Sequence, residues 1–184
     1  MSTIITYANK EVYITRIYTN NVDHPKLFGV SIYYSGCDVN EQYGHYCYEC
    51  HNPETWIQTN GRKTTNDELF NEIKKKLDFL FETYDKLAII FVGGEPLMNL
   101  NKQSTLFLSK KLKDIYNDKI VNLLYSWRQP EHFKEQNLLH YTNFIDEFVL
   151  GRFEVEKKVE DKFPASSNQQ YINKEELLSQ IKNI

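Results

Sequence analysis

The chain has 184 residues with 22 Lys+Arg against 25 Asp+Glu, a formal net charge of −3. That balance excludes a surface that binds phosphates through a basic excess, so no nucleic-acid partner is expected. With 41% hydrophobic residues and a length inside the roughly 100–200 residues of a typical domain, one core over residues 1–184 is the expectation.

Met1–Tyr7 shows neither the basic region nor the long apolar region of a signal peptide. The longest purely apolar run, Leu87–Val92, is six residues against the ~20 that span a bilayer. The chain therefore reads as cytoplasmic, with no membrane partner. Glu11–Tyr18 alternates apolar and polar residues and is rich in β-branched and aromatic types, as a half-buried strand should be. Phe28–Tyr34 is a second strand and runs into Ser35-Gly36 and a loop, residues 36–57, that holds all three cysteines. Thr65-Asn-Asp-Glu68 fits a capping box; it opens a helix in which Leu69, Phe70, Ile73, Leu77, Leu80, Phe81 and Tyr84 recur at three-to-four spacing. Leu87–Val92 has the pattern of a strand covered on both faces and ends at Gly93-Gly-Glu-Pro96. A helix at Leu106–Tyr116, a strand at Ile120–Tyr125, a short helix from Pro130 through Leu139 and a strand at Phe144–Leu150 follow. A polar stretch from Glu154 to Gln170 leads to a last helix from about Lys174, completing a C-terminal segment 154–184.

Strands that alternate with helices predict parallel pairing with right-handed crossovers. Four such strands from residue 28 onward are too few for a closed barrel. The fold class is α/β, with a mainly parallel sheet in an open, partial β/α barrel or a doubly wound arrangement. In either, ligands bind beyond the carboxyl ends of the strands. Each unusual segment falls at such an end: the cysteine loop, the Gly-Gly-Glu-Pro turn, Ser126-Trp-Arg128 and Gly151-Arg152.

Cys37, Cys47 and Cys50 are an odd number clustered in one loop, which reads as a ligand set in a reducing compartment and not as a disulfide framework. Zinc would need a fourth donor, which His45 or His51 could supply. An iron–sulfur cluster would take three thiolates and leave one iron open to a small molecule. The cysteines alone leave both readings open. Two glycines after a buried strand permit positive φ and a close approach to the main chain. Glu95 is either a ligand for an ammonium group or an ordinary acid near a helix N-terminus. Lys74–Lys76, Lys110, Lys111, His24, His132 and His140 read as structural or solvated, and Trp56 as an anchor closing the cysteine loop. Arg152 has no identified partner.

Three segments together resemble the radical S-adenosylmethionine superfamily, and within it the activating proteins of anaerobic ribonucleoside-triphosphate reductase. They are Gly36-Cys37 to Cys47-Tyr-Glu-Cys50-His-Asn-Pro-Glu-Thr-Trp56; Gly93-Gly-Glu-Pro-Leu97; and Val149–Phe153 with Ala165-Ser-Ser-Asn-Gln169. The resemblance implies a radical SAM type fold in which Cys37, Cys47 and Cys50 hold a 4Fe-4S cluster whose open iron binds S-adenosylmethionine. It implies one-electron cleavage of that cofactor to a 5′-deoxyadenosyl radical, which installs a glycyl radical on the reductase. Gly93, Gly94 and Glu95 would contact the methionine amino group, Glu49, Cys50 and His51 would lie near the adenine, and Ser126 and Trp127 would meet the cofactor at a strand end. The implied partners are the glycyl-radical subunit of the reductase and an electron donor such as a flavodoxin. Rival readings are a radical enzyme acting on a small molecule, like 7-carboxy-7-deazaguanine synthase, and a non-catalytic zinc-binding module. The sequence departs from the usual spacing by placing nine residues, 38–46, between the first two cysteines. The insert is polar with Gly44 near its end and is expected to loop out at little entropic cost, about 0.6 kcal/mol per doubling of loop length. Glu49 stands where many members of the superfamily have an aromatic residue and the reductase activators a small one.

Overall fold

The computed structural model describes residues 7–184; Met1–Thr6, most of the stretch searched for a signal peptide, lies outside them. Seven strands form one sheet: β1 (Glu11–Asn20), β2 (Gly29–Tyr34), β3 (Arg62–Thr65), β4 (Leu87–Gly93), β5 (Ile120–Ser126), β6 (Glu147–Leu150) and β7 (Gln170–Asn173), in the order β3-β1-β2-β4-β5-β6-β7. The four central strands β2, β4, β5 and β6 run parallel. The edges are antiparallel, with β1 between β2 and β3 on one side and β7 against β6 on the other. The sheet is open. Strands β3 and β7 were not expected from the sequence. Both are four residues long; Arg62–Thr65 is polar and Gln170–Asn173 has its two apolar residues side by side, so neither alternates and both owe their strand character to the neighbours they pair with.

The helices are α1 (Val39–Tyr43), α2 (Asn66–Leu80), α3 (Lys102–Tyr116), α4 (Pro130–Glu135) and α5 (Lys174–Lys182). The capping box of α2 is present as expected: Glu68 N–H donates to the Thr65 hydroxyl at 3.3 Å, and the Thr65 N–H donates to the Glu68 carboxylate at 2.9 Å. Helix α4 is shorter than expected, and a separate 3₁₀ turn at Leu139–Thr142 takes up the rest. Helix α3 begins at Lys102, before the first periodic apolar residue, because its first turn is stabilised by polar contacts such as the Thr105 hydroxyl donating to the Pro96 carbonyl at 2.8 Å.

The apolar run of β4 shows how the layers form. Leu87, Ile89 and Phe91 enter a large core with Leu69, Ile73 and Leu77 of α2, Leu108 and Leu112 of α3, Phe133 of α4 and Leu177 of α5. Ala88 and Ile90 face the other way, into a small cluster with Leu123 and Val149, against which Leu27, Phe163 and Tyr171 pack. Helices thus cover one face only, and loops close the other. This is the open, partial barrel and not the doubly wound alternative. Burying each such Leu, Ile or Phe stabilises by about 1.5–3 kcal/mol, so the helical face carries most of the stability. The thinly filled inner face leaves room for a ligand.

The connection between β1 and β2, residues 21–28, crosses this inner face. His24 is buried there, with its Nε2 3.0 Å from the Glu147 carboxylate of β6 and its Nδ1 accepting the Lys26 and Leu27 N–H groups at 3.1 and 3.0 Å. His24 is therefore a structural histidine, as its lack of ligand spacing suggests.

Candidate active site

Beyond the carboxyl ends of β2, β4, β5 and β6 lies a cavity of about 390 Å³. Cys37, Cys47 and Cys50 line it together with His51, Gly93, Gly94, Ser126, Trp127 and Arg152. The segments singled out by sequence, scattered over more than a hundred residues, form the walls of one chamber.

The cysteine loop is held in shape by its own main chain. The Gly36 N–H donates to the Thr55 carbonyl at 2.7 Å and the Cys37 N–H to the Trp56 carbonyl at 3.0 Å, so the far end of the loop returns to its start. Thr55 is fully buried and its hydroxyl donates to the Asn52 carbonyl at 2.6 Å. The Asn52 N–H points to the Cys50 sulfur at 3.4 Å. From β1, the Arg16 guanidinium reaches the side chains of Asn52 and Glu54 while lying 4.0 Å from the centre of the Tyr33 ring. Trp56 closes the loop and stacks on Tyr46 at 4.4 Å with the planes 4° apart. His51 packs its ring 4.6 Å from Phe153.

The twin glycines have a structural cause that is visible at atomic distance. Gly93 takes φ +104°, and a Cβ on Gly94 would come within 2.2 Å of the Gly36 carbonyl oxygen. The Gly94 N–H donates to the Tyr34 carbonyl at 2.9 Å and the Glu95 N–H to the Gly36 carbonyl at 2.8 Å. The close approach inferred from the glycines is therefore made by the cysteine loop itself, and it sets the loop directly against the turn.

Glu95 is fully buried and outside the cavity lining. Its carboxylate accepts the Leu97 N–H at 2.8 Å, the Ser126 hydroxyl at 2.9 Å and the Trp127 N–H at 3.1 Å, and lies 3.2 Å from Arg128. Burial pushes this carboxyl up to about 7, with Arg128 opposing the shift and Asp38 adding to it. Glu95 thus braces Ser126 and Trp127, two cavity residues, from behind. Glu49 also stands outside the lining; it is exposed, with φ +50°.

The late motif assembles as one unit. The Asn168 amide donates to the Arg152 carbonyl at 2.9 Å and the Gln169 amide to the Gly151 carbonyl at 3.0 Å, fixing the end of β6. Arg152 finds Glu154 at 3.6 Å and lies 4.5 Å from the centre of the Tyr43 ring.

Sequence reasoning missed Asp38 and Asp23, and placed Arg128 at a strand end without giving it a role. Asp38 accepts from Arg128 at 2.7 Å and from the Trp127 indole at 2.8 Å. Asp23 lines the cavity, and one of its oxygens accepts from Asn20, Ser31 and Tyr33 at 3.0, 2.7 and 2.7 Å. A signal existed for Arg128. The chain has only four arginines, and Arg16, Arg128 and Arg152 all serve this site.

The insert was expected to loop out; instead it folds. Val39–Tyr43 forms α1, Gly44 caps it at φ +76°, Val39 is buried in the cavity wall, and Tyr43 meets the Trp127 ring edge-on at 5.8 Å.

The three cysteines are free thiols of intermediate burial. Burial raises Cys37, with Glu95 adding to the effect, and burial followed by Cys50 raises Cys47. Thiols of this kind give up protons when they bind metal. Among the described residues no group of three or more His, Cys, Asp or Glu converges on a point for a single ion, and His45 is exposed and hydrogen-bonded to the Tyr46 carbonyl at 2.7 Å. With His45 engaged on the Tyr46 carbonyl and the His51 ring packed on Phe153, the three thiols lining the cavity fit the ligand set of an iron–sulfur cluster better than a closed Cys₃His zinc centre.

Residues 28–172 match the family model described as a 4Fe-4S single cluster domain. The chain is also similar to a pyruvate formate-lyase-activating enzyme from Streptococcus mutans serotype c, at 29% identity over 128 residues. That alignment covers 68% of this chain and 45% of the relative, so the chain spans less than half of the relative's length.

Proposed function

Because the chain belongs to the 4Fe-4S single cluster domain family, we propose that Cys37, Cys47 and Cys50 hold one 4Fe-4S cluster in a radical S-adenosylmethionine activase of a glycyl-radical enzyme. The observation that carries this reading is that all three thiols, the Gly93-Gly94 turn and Ser126-Trp127 line a single cavity beyond the parallel strand ends. When bound, the cluster and S-adenosylmethionine supply one-electron chemistry that yields a carbon radical able to take hydrogen from a glycine.

The protein's own residues bind and aim. Cys37, Cys47 and Cys50 would supply three thiolates to the cluster, which would leave one iron for the cofactor. The Gly93-Gly94 main chain, set against the loop through Gly36, lines the same cavity and would meet the ammonium group of S-adenosylmethionine. Glu95 acts behind this wall by holding Ser126 and the Trp127 N–H in place. His51, on Phe153, forms the wall toward which an adenine would lie, next to Glu49 and Cys50.

The partner we favour is the glycyl-radical subunit of an anaerobic ribonucleoside-triphosphate reductase, with a flavodoxin-type electron donor in the cytoplasm. Among the described residues no helix is long and apolar enough to cross a membrane. The likeness to the Streptococcus enzyme favours a second partner, pyruvate formate-lyase. Anaerobic reconstitution should give about four irons per chain and reductive release of 5′-deoxyadenosine. Mixing with each partner should then give a glycyl-radical doublet by electron paramagnetic resonance with one of them. Stoichiometric zinc with no obtainable cluster rejects the reading. Cofactor cleavage without a doublet from either partner points to a small-molecule substrate.

A further inference from the structure

We propose that Arg128 is a positioning residue that fixes the first cysteine against the twin-glycine turn by clamping one buried cation between Asp38 and Glu95. Asp38 directly follows Cys37 and opens the insert. Its carboxylate takes Arg128 Nη2 at 2.7 Å and Nη1 at 3.3 Å, while Glu95, in the turn after β4, lies 3.2 Å from the same Nη1. The remaining Nε donates to Gln136, the residue after α4, at 2.8 Å. Arg128 is only 4% exposed, so these contacts are its environment.

The neighbouring residue is held by the same two acids. The Trp127 indole donates to Asp38 and its main-chain N–H to Glu95. Two carboxylates from two loops therefore grip two consecutive residues at the end of β5. The cysteine loop, the turn and the strand end cannot move independently while that grip holds. A planar guanidinium reaches both acids at once, and an ammonium, as a point charge, does not. The clamp also seats the insert. With Asp38 fixed, Val39 enters the cavity wall and Tyr43 packs between Trp127 and Arg152.

The inference deepens the proposed function, on which its cofactor arm rests; its thiol arm does not depend on that reading. The test uses R128M, R128K and D38N in the full chain, with folding checked by circular dichroism. In the metal-free protein, alkylation followed by mass spectrometry should show Cys37 labelled several-fold faster in R128M while Cys50 keeps its rate, with R128K between R128M and wild type. In the loaded protein, S-adenosylmethionine should bind R128M about tenfold more weakly, read from the change it makes in the resonance spectrum of the reduced cluster.

Wild-type labelling of Cys37 in folded R128M overturns the proposal. Equal acceleration of all three thiols also overturns it, because that is general loosening. If R128M fails to fold, D38N decides alone, since it keeps the Arg128–Glu95 pair: selective exposure of Cys37 supports the clamp, and unchanged labelling overturns it. A wild-type chain that takes up no cluster sinks the functional reading and leaves the thiol result standing.

Discussion

Gly94 shows what a single position can demand. Its missing side chain lets the turn after β4 lie on the Gly36 carbonyl, the point at which the two motifs of the site touch. The nearest obstacle is main chain, which cannot swing aside as a side chain can. Gly94→Ala should therefore destabilise the fold by ~2 kcal/mol or more, measured by urea denaturation. It should also lower the iron content recovered on reconstitution, because the cysteine loop is what must move. Glycine and cysteine were both legible here as residue types. Their mutual contact was not, because residues 36 and 94 are far apart in sequence.

At the level of elements, α2 is the clearest match between local sequence and structure. The capping box satisfies two main-chain groups that the helix would otherwise leave open, and the apolar stripe faces one core. Thr65→Ala should cost about 1 kcal/mol in a denaturant titration and leave the site's chemistry unchanged, since the cap lies away from the cavity. Helix α1 teaches the opposite lesson. Its five residues carry no periodic signal, and an isolated helix of that length is marginal in water. It forms because Asp38, Val39 and Tyr43 are received by Arg128, the cavity wall and Trp127. Tertiary contacts created an element that local propensity does not specify.

Across the whole molecule, the helical face and the inner face divide the labour. The first supplies stability and the second the chamber, partly closed by the β1–β2 connection through His24 and Glu147. The hydrogen bond from His24 holds the Glu147 carboxyl below its ordinary value, with Tyr171 adding a second bond at 2.6 Å. A carboxyl depressed in the folded state contributes stability above its unfolded value, and that contribution is lost as pH falls through the folded value. Stability should therefore decline as pH drops below about 4.5. Glu147→Gln should flatten that part of the profile, as thermal melts across the acid range would show.

The amino-acid sequence by itself determined the alternation of strands and helices, the glycine-ended strand β4 buried on both faces, and the clustering of three thiols in one loop. Periodicity, punctuation and donor chemistry are local properties. Only the tertiary structure decided that helices cover one face, that the short segments Arg62–Thr65 and Gln170–Asn173 become edge strands, and that the insert becomes a helix in the cavity wall. It alone turned Arg128 from one of four scarce arginines into a buried cation between two acids. Each of these depends on which surfaces meet across the sheet, and burial and ion pairing between distant residues leave no periodic trace along the chain.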